Sequence, residues 1–280
     1  MKEIKNKYKR GFNLLALLLV LLFSACHSTK DVVIQKENFA SASIFQLLPP
    51  KVLTDSVLFR RNTSVDLAME FPDAEIRYTL DGSPVTQSAS LYEDVLIIEK
   101  TTQLQALAFH PDCNTSEVKT QLFYKVADVF SQSKIRLVPP ADSRYAAKGV
   151  ASLTDMKKGS IQFRGKGRWL GFQKDTVEIK VQFSEKTTLE SIILSTLASE
   201  IEWIFVPRRV ELLEGEEVFA FINKDSMQNA SETGAHFMAI DFPERKLKDL
   251  TIRVLSDPLP KGHNGYGFMS WFFVDEIIAL

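Results

Sequence analysis

The chain has 280 residues, with 34 Lys and Arg against 35 Asp and Glu, for a formal net charge of −1. That balance gives no basic face of the kind nucleic acid requires, so nucleic acid is excluded as a partner. Two cysteines, Cys26 and Cys113, leave no paired CxxC motif, and the length is enough for two modest domains.

The N-terminus reads as a targeting segment. Lys2, Lys5, Lys7, Lys9 and Arg10 form a basic start, and residues 12–23 form an apolar run broken only by Asn13. About a dozen residues cannot span a bilayer core that needs ~20. Small residues and a cysteine follow at once, which completes a secretory signal. Leu22-Phe23-Ser24-Ala25-Cys26 resembles the lipobox of bacterial lipoproteins, with Phe23 where leucine is commoner. The resemblance implies a signal peptide over residues 1–25, removed on maturation, and acyl chains on Cys26. Residues 26–43, polar and without periodicity, then form a lipidated tether. Several acyl chains at ~0.8 kcal/mol per buried methylene hold a protein stably on a membrane. The expected location is the cell envelope, anchored by lipid in the outer membrane, with the periplasmic or surface face open. With Cys26 acylated, no intrachain disulfide is available. The alternative is an ordinary signal peptide with an incidental cysteine.

From residue 44 the pattern is β. Ile76-Arg77-Tyr78-Thr79-Leu80 alternates and meets Asp81-Gly82, a hairpin signal. Residues 102–109 alternate again, with Leu104, Ala106 and Ala108 on one face, and residues 121–126 suit a last strand. Tyr78-Thr79-Leu80-Asp81-Gly82-Ser83-Pro84, then Thr86, Ser88, Ser90 and Tyr92, then the strand of residues 101–109, resemble the C-terminal module of chitobiases and hexosaminidases. That module is also described as fibronectin type III-associated. The resemblance covers residues 46–127 and implies a fibronectin type III-like sandwich over residues 44–127. Tyr78 and Tyr92 are expected to pack on each other or cap the sandwich, with sugar stacking as the functional alternative.

A break at residues 128–133 separates a second series of short strands. Val177, Ile179, Val181 and Phe183 alternate with Glu178, Lys180 and Gln182. Strand-like segments follow at 189–194, 204–206, 210–213, 218–222, 250–254 and 271–277. Short strands at about ten-residue spacing predict a sandwich or jelly roll. Leu153-Thr154-Asp155, Gly167-Arg168-Trp169-Leu170-Gly171-Phe172, Trp203-Ile204-Phe205-Val206-Pro207 and Ser270-Trp271-Phe272-Phe273-Val274-Asp275-Glu276-Ile277 resemble the discoidin, or coagulation factor type C, domain. The likeness is to the version that ends Bacteroidetes hexosaminidases. It implies a galactose-binding-like jelly-roll sandwich over residues 134–280. The fold class is therefore all-β. The family has glycine after the aspartate of Leu-Thr-Asp; Met156 here puts that tight turn in doubt.

No catalytic constellation emerges. His27, His110, His236 and His263 sit in no motif, and HExxH and phosphate-loop patterns are missing from the sequence. The adjacent acids Asp275-Glu276 lie in an apolar run that reads as a terminal strand. Neighbours on a strand point to opposite faces, so the two carboxylates are not expected to share a substrate. The barrel that carries hexosaminidase chemistry needs ~250 residues of its own, so the chain is expected not to be an enzyme. The discoidin resemblance implies a structural calcium, with Asp155 and Glu276 as candidate oxygen ligands. A glycan site is expected at the glycine-rich loop before Trp271, using His263, Asn264 and Tyr266, with Trp203 and Arg208 flanking it. Two readings stand: a glycan-binding accessory protein, and a structural lipoprotein that docks an envelope protein. An accessory part in a hexosaminidase-type system is a more distant third.

Overall fold

The computed structural model describes residues 45–164, 167–227 and 229–280. The signal, Cys26 and the tether lie outside those residues. The described chain is built from strands joined by turns and short 3-10 segments, with no α-helix among the described residues.

The first sandwich contains β1 (Lys51–Thr54), β2 (Leu58–Phe59), β3 (Thr63–Ala68), β4 (Glu75–Thr79), β5 (Ser90–Leu91), β6 (Leu96–Ile98), β7 (Thr102–Phe109) and β8 (Lys119–Lys125). A three-stranded sheet, β1-β3-β6, covers a five-stranded one, β2-β8-β7-β4-β5. The alternation in β7 does what the pattern implies: Leu104 and Ala106 enter the shared core with Val65, Leu67, Ile98 and Phe123. Tyr78 and Tyr92 meet edge to face at 6.4 Å, and the Tyr92 hydroxyl donates to Asp66 at 2.6 Å. The Asp81-Gly82 turn forms, with Gly82 at φ +77° and the Asp81 carboxylate accepting from the Ser83 N–H. It does not close a two-residue hairpin. The next strand to pair with β4 is β5, reached only at Ser90, and Gly82 donates instead to Gln103 of β7, the strand on the other side of β4.

The second sandwich contains β9 (Lys134–Val138), β10 (Ala147–Val150), β11 (Leu170–Phe172), β12 (Thr176–Ala198), β13 (Arg209–Glu214), β14 (Glu217–Asn223), β15 (Gly234–Leu255) and β16 (Phe272–Ala279). Segments 177–183 and 189–194 are one strand, β12, which runs antiparallel to β15 along nearly its whole length. Register shifts between Gln182 and Thr187 and between Leu189 and Ser191 bend this long ribbon, as bulges do. Pro243 lies opposite the second shift, where a ladder N–H is dispensable. One end of the ribbon joins β9 and β13; the other joins β16 and, through it, β11. Folding the ribbon over itself makes both layers, and Ile179, Phe183, Ile192, Leu194, Ile252 and Phe272 fill the space between them.

The β16 end of the ribbon is buried on both sides. Its outer face carries Ile193 and Ile278, which pack with Leu58 and Tyr124 of the first sandwich. Tyr124 meets Phe237 edge to face at 4.9 Å, and the Ala127 N–H donates to the Ala279 carbonyl. Each large apolar side chain buried there contributes on the order of 1.5–3 kcal/mol. Residues Phe45–Leu280 accordingly form one compact unit. The connecting segment takes part: Phe130 is buried in the second core and stacks on Phe183 at 6.0 Å.

Candidate functional site

The loop of residues 258–269 projects from a closed base. Pro258 bridges Met269, the Leu259 N–H donates to the Phe268 carbonyl at 2.7 Å, and the Ser270 hydroxyl donates to the Asp257 carbonyl. Arg208 pairs with Asp257 at 2.8 Å beside this base. Trp203 is the wall the loop leans on. Its backbone is left-handed, φ +66°, which is strained for a bulky residue. Its indole N–H donates to Asn264 Oδ1 at 3.0 Å. Gly265 is buried against that indole; a Cβ there would stand 2.7 Å from the ring. The close approach this glycine permits is therefore to Trp203.

All five expected ligand residues gather here, with different tasks. His263 Nε2 lies 3.0 Å from the Glu200 carbonyl and its Nδ1 accepts from the Gly265 N–H at 3.1 Å. The partners assign the proton to Nε2. With both nitrogens engaged internally, His263 orients the loop and offers nothing to a ligand. Asn264 uses its carbonyl oxygen on Trp203, which turns its amide NH₂ outward as a donor. Tyr266 is 61% exposed. Two residues that sequence reasoning passed over join it. Phe268 is 64% exposed and stacks on Trp203 at 6.0 Å, and Ile201 is 84% exposed. The one available signal was composition: large apolar side chains set among glycines in a turn-rich stretch have little chance of burial. Trp169 and Trp271 are buried beneath, in an aromatic cluster with Phe163, Phe273 and half-buried Tyr145. The arrangement can hold a flat, partly apolar ligand on two rings and direct amide and guanidinium donors at its hydroxyls.

The second expected site is a buried charge cluster. β16 is irregular where it passes Ser195: that residue pairs Glu276, while Thr196 pairs Val274. Asp275 is the extra residue, so alternation flips across it. Phe272, Val274, Ile277 and Ala279 face the core, and Asp275 and Glu276 both face outward. The expectation that these neighbours diverge is thus corrected: a bulge places two carboxylates on one side. The turn of residues 155–159 covers them. The Lys157 N–H donates to Glu276 Oε1 at 2.8 Å and to Asp155 Oδ1 at 3.1 Å. Lys158 Nζ lies 2.8 Å from both oxygens of Asp275 and also reaches Ser195 Oγ. The rings of Trp169 and Phe237 flank that ammonium at 5.4 and 5.0 Å. Met156 takes the glycine position of the turn at φ +58°, with its side chain packed into the contact between the sandwiches. The tight turn survives without glycine.

Burial dominates the electrostatics. Asp275 is 0% and Glu276 1% exposed. Burial raises the Glu276 carboxyl to about 8, with Asp275 and Asp155 adding to the rise and the Lys157 N–H opposing it. Burial also lowers the Lys158 ammonium, against the pull of Asp275. Asp155, Asp275 and Glu276 thus gather round one ammonium, with Glu276 held largely protonated at neutral pH, so a hard cation would have to displace that proton. Asp155 and Glu276 are the two side chains that would hold it. No group of three or more His, Cys, Asp or Glu side chains is arranged for a metal among the described residues. Backbone carbonyls or water would complete the ~6–8 oxygens calcium takes.

Residues 56–120 match a family model described as the chitobiase/beta-hexosaminidase C-terminal domain. No curated protein sequence matches the chain. Solved structures share a part of it. A GH29 fucosidase from Ruminococcus gnavus in complex with fucose aligns with a TM-score of 0.31 and 9% identity, over 53% of this chain and 25% of that one. The CBM32-1, CBM32-2 and M60 catalytic domains of Clostridium perfringens ZmpB align with a TM-score of 0.35 and 14% identity, over 55% of this chain and 15% of that one. A GH31 CBM32-2 module bound to GalNAc aligns with a TM-score of 0.33 and 16% identity, over 53% and 98%. The chain therefore spans well under two thirds of the two larger proteins.

Proposed function

We propose that this protein is a non-catalytic, glycan-binding lipoprotein of the cell envelope, held on the outer membrane by lipid on Cys26. The observation that carries the glycan reading is the exposure of Tyr266 and Phe268 on a loop held in place by the Trp203–Asn264 and His263–Glu200 hydrogen bonds. Large aromatic rings left in water above a closed base are available for the C–H faces of sugars. The Asn264 amide and Arg208 supply donors. The burial of the adjacent acids supports the non-catalytic part of this reading: Asp275 is sealed under Lys158, and Glu276 accepts from the Lys157 N–H. Affinity is modest, on the order of micromolar to millimolar, because an open loop site buries little area. Residues 27–280 are assayed on a glycan array, and hits are titrated calorimetrically against wild type and Tyr266→Ala. Equal binding by the two proteins would remove Tyr266 from the site.

Two further parts of this reading have their own tests. Lipid on Cys26 predicts uptake of labelled palmitate that Cys26→Ser abolishes, together with release from the membrane fraction. Calcium held by Asp155 and Glu276 predicts a melting temperature raised by calcium and lowered by EDTA, with neither shift in Glu276→Gln. Docking of an envelope protein is the second reading. Val218 and Phe221, exposed on edge strand β14, favour it.

A further inference from the structure

A groove of about 260 Å³ opens on the first sandwich, where the described chain begins. Leu47, Leu48 and Pro49, ahead of β1, line it together with Met69, Phe71 and Pro72, which follow β3. The charged residues in its lining, Lys51 and Glu70, pair with each other. Leu48 is 74% exposed; Phe71 and, three residues before Leu48, Phe45 are exposed as well. The backbone beneath them is fixed. The Leu47 N–H donates to the Asn114 carbonyl at 3.1 Å, and the Asn114 N–H donates to the Phe45 carbonyl at 2.9 Å. Pro49 and Pro50 lock φ on the way into β1. The Phe71 ring meets His110 edge to face at 5.1 Å.

Large apolar side chains held in water on a fixed backbone mark an interaction surface. What covers this one follows from where the chain leads. Phe45 follows Cys26 by 19 residues, a stretch that spans at most about 65 Å however extended. Lipid on Cys26 therefore ties this end of the sandwich to the bilayer more closely than any other described part of the chain. Contact with lipid becomes intramolecular, and an apolar patch too small to hold a free protein on a membrane is enough for a tethered one. The Lys51–Glu70 pair is closed on itself, so seating the groove among headgroups strands no lone charge.

We infer that this end of the first sandwich rests on the membrane, with Phe45, Leu48 and Phe71 set among the headgroups and upper acyl carbons. The inference rests on the lipidation of Cys26. Phe and Leu gathered on one face suit the boundary between headgroups and acyl chains, and the gain follows the apolar area taken out of water. The test uses the full lipoprotein in vesicles of phosphatidylethanolamine and phosphatidylglycerol. In a Cys113→Ser background an environment-sensitive dye is placed on Gln46→Cys, an exposed position within the face, and separately on Glu216→Cys, at the turn between β13 and β14. The dye at position 46 shifts to the blue and is quenched by brominated lipid. The dye at position 216 stays in water and is quenched by iodide. Leu48→Asp combined with Phe71→Asp returns the dye at position 46 to water while the protein still floats with the vesicles. Both side chains are exposed, so the melting temperature holds. If iodide quenches both dyes alike on floating wild type, the seating is overturned, the anchor stands and the groove falls to a protein partner. A blue shift that survives the two aspartates overturns the seating too. If wild type does not float, the anchor reading fails and the seating with it.

Discussion

The turn of residues 155–159 and the loop of residues 258–269 sit on the same sandwich and use their side chains in opposite ways. The turn shuts Lys158 and the terminal-strand acids Asp275 and Glu276 beneath backbone and aromatic rings, with Asp155 half-buried at their edge. The loop takes Tyr266 and Phe268, with Ile201 of the neighbouring turn of residues 200–202, and leaves them in water. Each choice costs free energy that a plain surface would not. In the turn the compensation is internal, an ammonium on a carboxylate. In the loop only the stacking of Phe268 on Trp203 offsets it, and the rest of the exposed apolar surface is open to a ligand.

Four substitutions break or sharpen this contrast. The largest effect belongs to Asp275→Ala, which strands the Lys158 ammonium; losing one partner of a buried pair costs about 3–5 kcal/mol. Urea titration reads it, and Lys158→Met added to Asp275→Ala recovers a substantial part by removing the stranded charge. If the single variant unfolds at the wild-type midpoint, the pair is not sealed. Next comes Gly159→Ala, which sets a Cβ 2.4 Å from the Trp169 indole. Overpacking there costs roughly 1–3 kcal/mol and blue- or red-shifts tryptophan fluorescence as the indole moves.

The third concerns Tyr124, on the sealed face between the sandwiches, where burial pushes the phenol up to about 12. A folded value above the unfolded one, ~10, favours the neutral phenol. Its stabilisation is complete below pH 10 and lost as pH rises through 12. Wild type therefore loses about 1.4 kcal/mol by pH 11 that Tyr124→Phe does not lose. Parallel alkaline denaturation curves for the two proteins would place the phenol in water. The smallest stability effect belongs to the loop: Phe268→Ala changes folding by within about 0.5 kcal/mol, as exposed substitutions do, while weakening glycan binding. A large drop in melting temperature would make Phe268 a core residue and erase the contrast.

Much of this was open to reading from the sequence. Period-two alternation is local, so Leu104, Ala106 and Ala108 in β7 and Val177, Ile179 and Val181 in β12 declared their buried faces directly. The start of β15 escaped because Pro243 interrupts its pattern, and a proline is tolerated only where a partner strand slips register. The five ligand candidates do share one place, since all five fall on two aromatic-flanked loops, residues 203–208 and 263–266. The sequence by itself determined the all-β class and the likeness of residues 46–127 to a known module, which the family model matches over residues 56–120. The tertiary structure alone decided what the charges do. The Lys157 N–H and the Glu276 carboxylate that accepts from it are 119 residues apart. A one-residue bulge, set by how β16 registers on β12, turns Asp275 and Glu276 to the same side. Register is a property of two strands together, and no pattern within either one records it.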